Sequence, residues 1–75
     1  MKFGSTKAMV EGLKHHLGID LSYGEPTRRY GGGMIVPTSS LAFHQMRDLK
    51  DFAHRTGSIE VQEWSGWQTL VNRVR

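Results

Sequence analysis

The feature that most limits what this chain can fold into is the absence of cysteine from its 75 residues. Disulfides and zinc–thiolate sites are the usual additional stabilisers of very small domains. Without them, stability has to come from one hydrophobic core, and a chain of this length buries only about 60% of its unfolded surface. Apolar residues make up 37% of the sequence, which is typical of a globular chain. We therefore expect a single domain over residues 1–75.

The charge balance is moderately basic. Ten Lys and Arg residues against seven Asp and Glu residues give a formal net charge of +3. The cations are spread along the chain without a long block of like charge, so any basic surface has to be assembled by folding. The sequence contains neither an apolar run near the ~18 residues of a membrane helix nor a charged-then-apolar leader. We expect a small basic cytoplasmic protein that does not use a membrane.

Hydrophobic periodicity and turn residues predict the first half of the fold. A helix is expected over about 6–17, with Ser5 as its N-cap and Gly18 at its end. Alternation of apolar and polar residues predicts a strand at about 19–23, and a short apolar run predicts another at about 34–36. Because the segment between them is rich in Gly and Pro, the two strands are expected to form a hairpin with a long tip.

The second half repeats this order with clearer signals. A helix is predicted over about 40–55 before Gly57, followed by a hairpin with strands at about 58–64 and 67–74. The apolar stripe of this helix consists of Ala42, Met46, Leu49, Phe52 and Ala53. The predicted class is α+β in the order α-β-β-α-β-β, with a small antiparallel sheet of about four strands and two helices packed on one face.

The last hairpin also predicts a register. A two-residue turn at 65–66 places Val61 opposite Leu70 and Trp64 opposite Trp67. Two indoles on an open sheet face would form a recognition patch, because tryptophan is over-represented among binding hot spots. They would alternatively stabilise the hairpin by cross-strand stacking, worth ~1 kcal/mol.

One face of the second helix is the main candidate binding surface. Four of its residues fall within roughly 60° of arc, away from the apolar stripe: Phe43, Arg47, Lys50 and His54. A phenylalanine exposed among basic side chains suits docking along a phosphate backbone or onto an acidic protein surface. The alternative is an ordinary solvated face, with the ring covered by the loop after Val36.

The loop of the first hairpin is a second candidate. Arg28, Arg29 and Tyr30 precede three glycines at 31–33. Two guanidiniums can clamp phosphate, an aromatic ring can stack on a base, and glycine amides can approach an anion closely. The sequence lacks the remaining residues of a P-loop. The alternative is a mobile hairpin tip kept in solution by its arginines.

Chemistry at a metal or a nucleophile is not predicted. The histidines are His15, His16, His44 and His54, and none is spaced from another as metal ligands on one helix face are. No nucleophile elbow or paired-carboxylate motif is present, so we predict no catalytic residue, no metal and no cofactor. The enzymatic alternative is a small RNA-directed nuclease or toxin that uses His and Arg.

These patterns together predict a small non-enzymatic binding or regulatory protein. It would dock a basic and aromatic surface onto a macromolecular partner, either nucleic acid or a larger protein complex that it blocks. In size and composition the chain is similar to many proteins carried by phages and other mobile elements, and with a protein partner it would be a small inhibitor or regulator. A self-associating structural protein is a further alternative, because two open hairpin edges can pair in a homodimer.

Overall fold

A computed structural model of the chain describes residues 2–64 and 66–74, and for Tyr30 it describes the backbone alone. Within these residues the elements follow the predicted order, and the α+β class is confirmed. Their bounds are α1 Thr6–Leu17, β1 Glu25–Thr27, β2 Gly33–Pro37, α2 Phe43–Thr56, β3 Ile59–Trp64 and β4 Gln68–Arg73.

The strands described form one antiparallel sheet in the order β1-β2-β4-β3, so β4 lies inside the sheet and β1 and β3 form its edges. Helix α1 packs against β2 and β4, and α2 packs against β3. Both helices contribute to the same buried cluster, which places them on one face of the sheet as predicted. The buried members of this cluster are Met9, Leu13, Ile19, Leu21, Met34, Val36, Leu49, Phe52, Ile59 and Val71.

Helix α1 has the predicted bounds because its caps are local. The Ser5 hydroxyl oxygen accepts a hydrogen bond from the Ala8 N–H at 3.1 Å. At the other end, Gly18 adopts φ +70°, a left-handed conformation that favours glycine. Side chain and backbone at each end therefore agree with the helical pattern between them.

Helix α2 begins three residues later than predicted, at Phe43, because the preceding hydroxyl groups have other partners. The Ser40 hydroxyl donates to the Pro37 carbonyl at 2.6 Å, and 38–40 form a short 3₁₀ turn. The helix start is instead stabilised by Gln45, whose side-chain oxygen accepts from the Ala42 N–H at 2.9 Å.

The predicted strand at 19–23 is wrong. Ile19 and Leu21 are buried in the core, as the alternation suggested, but the segment is irregular. Asp20 accepts a hydrogen bond from the Ser22 N–H at 2.9 Å, which turns the chain. Hydrogen bonds from the side chain and backbone of Ser22 also hold the pKa of Asp20 below its usual value. The strand that pairs with β2 is β1, which follows this turn.

The predicted register of the last hairpin is also wrong, by one residue. Val61 pairs with Val71 instead of Leu70. Because side chains alternate between the two faces of a strand, a one-residue shift exchanges the faces. Val61 and Val71 therefore pack with the helices, whereas Leu70 is fully buried on the opposite face of the sheet.

The turn explains this shift. Trp64 pairs with Gln68, and the Trp67 N–H donates to the Trp64 carbonyl at 3.2 Å. Gly66 adopts φ +74°, as in β-bulges that use a left-handed glycine; Ser65, the other turn residue, lies outside the described residues. Trp67 thus occupies an additional position in the turn and does not face Trp64 across the hairpin.

Candidate docking site

The exposed face of α2 begins with Phe43, whose side chain is 86% exposed in the first turn of the helix. Phe43 and the buried Phe52 are nine residues apart, which is about 180° around an α-helix. Burial of Phe52 against the sheet therefore directs Phe43 towards solvent. The loop after Val36 does not cover the ring, in contrast to the alternative considered from the sequence.

The predicted strip of four residues is assembled on this face. Phe43, Arg47, Lys50 and His54 are all exposed. They border an open groove of about 470 Å3 with a largely apolar lining. The lining residues are Phe43, Met46, Arg47, Lys50, Asp51 and His54. The aliphatic stems of the long basic side chains contribute apolar surface while their charged ends reach water.

The charges around the groove are mixed. Lys50 Nζ lies 3.3 Å from Oε1 of Glu63 on β3, and both side chains are about half exposed. Such a pair contributes under ~1 kcal/mol, but it offsets the cation locally. Asp51, which lines the groove, accepts from Arg55 Nε at 2.7 Å. In the part of the chain that the structure describes, Arg47 is a groove cation without an ion-pair partner.

The groove lining includes Met46 and Asp51, which were not predicted as site residues, and Glu63 approaches it through Lys50. Met46 belongs to the apolar stripe by sequence, but it lies at the margin of the stripe and is only partly buried. The helical angle between Met46 and Phe43, about 60°, is the signal that places both on one edge. Glu63 could not be found this way, because its approach to Lys50 depends on how β3 packs beside α2.

The first hairpin loop lies outside this groove. Arg28 and Arg29 are exposed, and a 3₁₀ turn spans Arg29–Gly31. The side chain of Tyr30, a predicted binding residue, lies outside the described part of the chain. Arg28 lines a separate pocket instead, so the structure does not join this loop to the α2 strip.

The two tryptophans are also separated from the groove. Trp67 is 63% exposed in the turn of the last hairpin, while Trp64 is partly buried on β3. By its alternation with Val61, Trp64 lies on the sheet face opposite the helices. Trp64 pairs with Gln68, so the two indoles do not face each other across the hairpin, contrary to the prediction.

The histidines are divided between the two helices, with His15 and His16 on α1 and His44 and His54 on α2. His44 and His54 are exposed on α2. The rings of His15 and His16 meet edge-on with centroids 5.1 Å apart, and His16 lies beside Phe52. Over residues 2–64 and 66–74, no three His, Cys, Asp or Glu side chains are grouped so that they could hold a metal ion. Neither helix in these ranges has the length and apolarity needed to cross a membrane.

The described residues thus define a small α+β protein with one exposed, aromatic and partly basic helix face. Comparisons of the chain with protein-family models, with curated proteins and with solved structures give no match in any of the three.

Proposed function

We propose that this chain is a small non-enzymatic binding protein. It would dock onto another protein through the groove face of α2, the exposed face that carries Phe43, Arg47, Lys50 and His54. The observation that carries the proposal is the 86% exposure of Phe43 beside a largely apolar groove. Burying a phenylalanine side chain stabilises a protein or a complex by about 1.5–3 kcal/mol relative to exposing it. Aromatic anchors of this kind are typical of interface hot spots when a partner covers them.

The charges favour a protein partner over nucleic acid. The cation of Lys50 is offset by Glu63, and Asp51 contributes a carboxylate to the groove itself. A phosphate backbone placed along the strip would be repelled by these carboxylates, whereas affinity for nucleic acid comes mainly from neutralised phosphates. The better-matched partner is a protein surface that offers an apolar pocket for Phe43 and a carboxylate for Arg47.

The size of the face sets the form of the interaction. From Phe43 to His54 the strip is about 16 Å long at 1.5 Å per residue. A stable interface buries about 800 Å2 on each partner, so the contact has to extend from α2 onto its flank at β3. A domain that covers such an area of its partner acts most simply by blocking the partner's own surface. We therefore propose an inhibitory or regulatory role.

Reversing the charge of Arg47 tests this proposal. Tagged wild-type protein, R47E and the matched control R29E are used in pull-downs from nuclease-treated extract, with quantitative mass spectrometry. Arg29 is an exposed arginine outside the groove, so R29E changes net charge equally. We expect a protein that wild type and R29E capture to be reduced about tenfold or more with R47E, because a carboxylate at this position repels the partner's carboxylate.

Two results would reject the proposal. Equal capture by R47E and R29E would show that the groove face does not make the contact. Loss of captured material after nuclease treatment, together with a steep fall of affinity with salt, would identify nucleic acid as the partner instead.

A further inference from the structure

A second pocket, of about 260 Å3, lies where the N-terminus of α1, the tip of the first hairpin and the end of β4 meet. Its described lining consists of two arginines, two threonines and two glycines: Thr6, Thr27, Arg28, Gly31, Gly32 and Arg73. None of these residues lines the α2 groove. The pocket is therefore a distinct feature, and an inference about it does not depend on the docking function.

We propose that this pocket binds a phosphate group, as inorganic phosphate or as the phosphoryl group of a small phosphomonoester. Two guanidiniums can each donate paired hydrogen bonds to phosphate oxygens, and two hydroxyl groups supply further donors. A tetrahedral dianion accepts from several directions at once, which matches donors that come from separate elements of the fold. The volume suits a phosphoryl group with a small ester substituent.

Arg73 carries much of this inference. Its Nη1 donates to the Phe3 carbonyl at 3.2 Å, which holds the guanidinium in place. Its Nε is buried and has no hydrogen-bond partner among the described residues. Buried donors in proteins are nearly always paired, so this one leaves the positive charge of the guanidinium incompletely compensated. An anion in the pocket that Arg73 lines would compensate that charge.

Thr6 lies close to the same part of the pocket as Arg73, which supports the proposed site. A Cβ atom added to Gly32 would lie 2.6 Å from Thr6 Oγ1 and 3.3 Å from Arg73 Nε. The hydroxyl group and the guanidinium therefore converge beside Gly32. Gly32 has φ +101°, a conformation that favours glycine, and a Cβ there would clash with the Thr6 hydroxyl, so only glycine allows this close approach.

The start of α1 adds partial positive charge. Thr6 is the first residue of the helix, and the Ser5 hydroxyl and carbonyl oxygens already accept from the N–H groups of Ala8 and Met9. The N–H groups of Thr6 and Lys7 have no acceptor within the helix by its geometry. This end of the helix dipole supports the guanidiniums in attracting an anion.

The experiment is an NMR titration of the full 15N-labelled chain with inorganic phosphate, with glycerol phosphate, and with glycerol as the uncharged control. We expect saturable shifts of the Gly31 and Gly32 amides with a Kd of about 1 mM or tighter, and no shifts with glycerol. Tighter binding of glycerol phosphate would identify an esterified ligand, and equal binding would identify the phosphate ion. Shifts that do not saturate with either phosphate would overturn the proposal.

Adjacent arginines provide a matched pair of variants. Arg28 lines the pocket, whereas Arg29 does not, and both are exposed. We expect R28Q to weaken phosphate binding about tenfold or more, because the paired charge-assisted hydrogen bonds of the guanidinium are lost, and R29Q to change it little. Equal effects of the two variants would show nonspecific attraction and would reject the site. R73K, which keeps the charge but removes the guanidinium with its several donors, should also weaken binding, with its folding checked in the same spectra.

Discussion

Replacing Phe43 by alanine is expected to weaken binding to the protein partner about 30-fold or more, while the free energy of unfolding changes by less than about 0.5 kcal/mol. The ring is 86% exposed in the isolated chain, so its removal leaves no cavity in the core. In the complex the same ring would be buried, and a loss of about 2 kcal/mol of binding free energy corresponds to a 30-fold change in Kd.

This separation of binding from stability is measured by calorimetric titration with the partner and by urea unfolding of the free protein. Trp67→Ala is the matched control, because it removes another exposed aromatic side chain that does not line the groove. If Trp67→Ala weakened binding as much as Phe43→Ala, the contact would lie at the hairpin turn. If Phe43→Ala instead lowered the free energy of unfolding by more than about 1 kcal/mol, the ring would have a structural role.

Replacing Gly33 by alanine is expected to lower the free energy of unfolding by about 3 kcal/mol or more, a larger loss than for the other variants described. A Cβ at this position would lie 2.5 Å from the Val71 carbonyl oxygen and 2.7 Å from Asn72 Cα. Both are backbone atoms of β4, so β2 and β4 would have to separate to admit the methyl group. A domain of this size has only a few kcal/mol of stability, so the variant is expected to be largely unfolded.

Circular dichroism during urea unfolding measures this effect. Gly4→Ala is the control, because nothing lies within 4 Å of a Cβ added there. We expect Gly4→Ala to unfold at nearly the same urea concentration as wild type. A folded Gly33→Ala protein with the stability of the control would contradict the close pairing of β2 with β4.

Local signals made much of the fold predictable. The bounds of α1 follow from a capping serine at one end and a left-handed glycine at the other, both of which act within a few residues. The prediction of a strand at 19–23 failed because a local preference for a turn competed with the alternation of apolar and polar residues. A hydrogen bond from Ser22 to the Asp20 carboxylate forms a turn, and the two apolar residues still reach the core without a strand.

The register of the last hairpin could not be predicted from local signals in the sequence. Two small residues between alternating runs suggest a two-residue turn, but Gly66 with positive φ allows an additional residue on the β4 side. Apolar residues occur at consecutive positions in β4, so the pattern alone does not choose a face. Burial of Val71 with the helices and of Leu70 on the opposite face settles the choice in the structure.

The candidate sites also differ in how much of them the sequence predicts. The exposed strip on α2 follows from helical angles alone, and the structure has Phe43 exposed as that reasoning required. The groove charges do not follow, because Glu63 reaches Lys50 from another element. The proposed phosphate pocket could not be predicted from the sequence. Arg73 is held by the Phe3 carbonyl, 70 residues away in sequence, and only tertiary packing brings such residues together.

The central claim is that Phe43 contacts a protein, and crosslinking from that position measures this most directly. A photoreactive benzophenone amino acid is incorporated in place of Phe43 and, in a second protein, in place of the exposed Trp67. Each protein is irradiated in source cells, and the adducts are analysed by mass spectrometry after nuclease treatment. We predict that position 43 yields an adduct with one protein, lost when R47E is added to the same chain, and that position 67 does not. Adducts with nucleic acid, or the same adducts from both positions, would contradict the account.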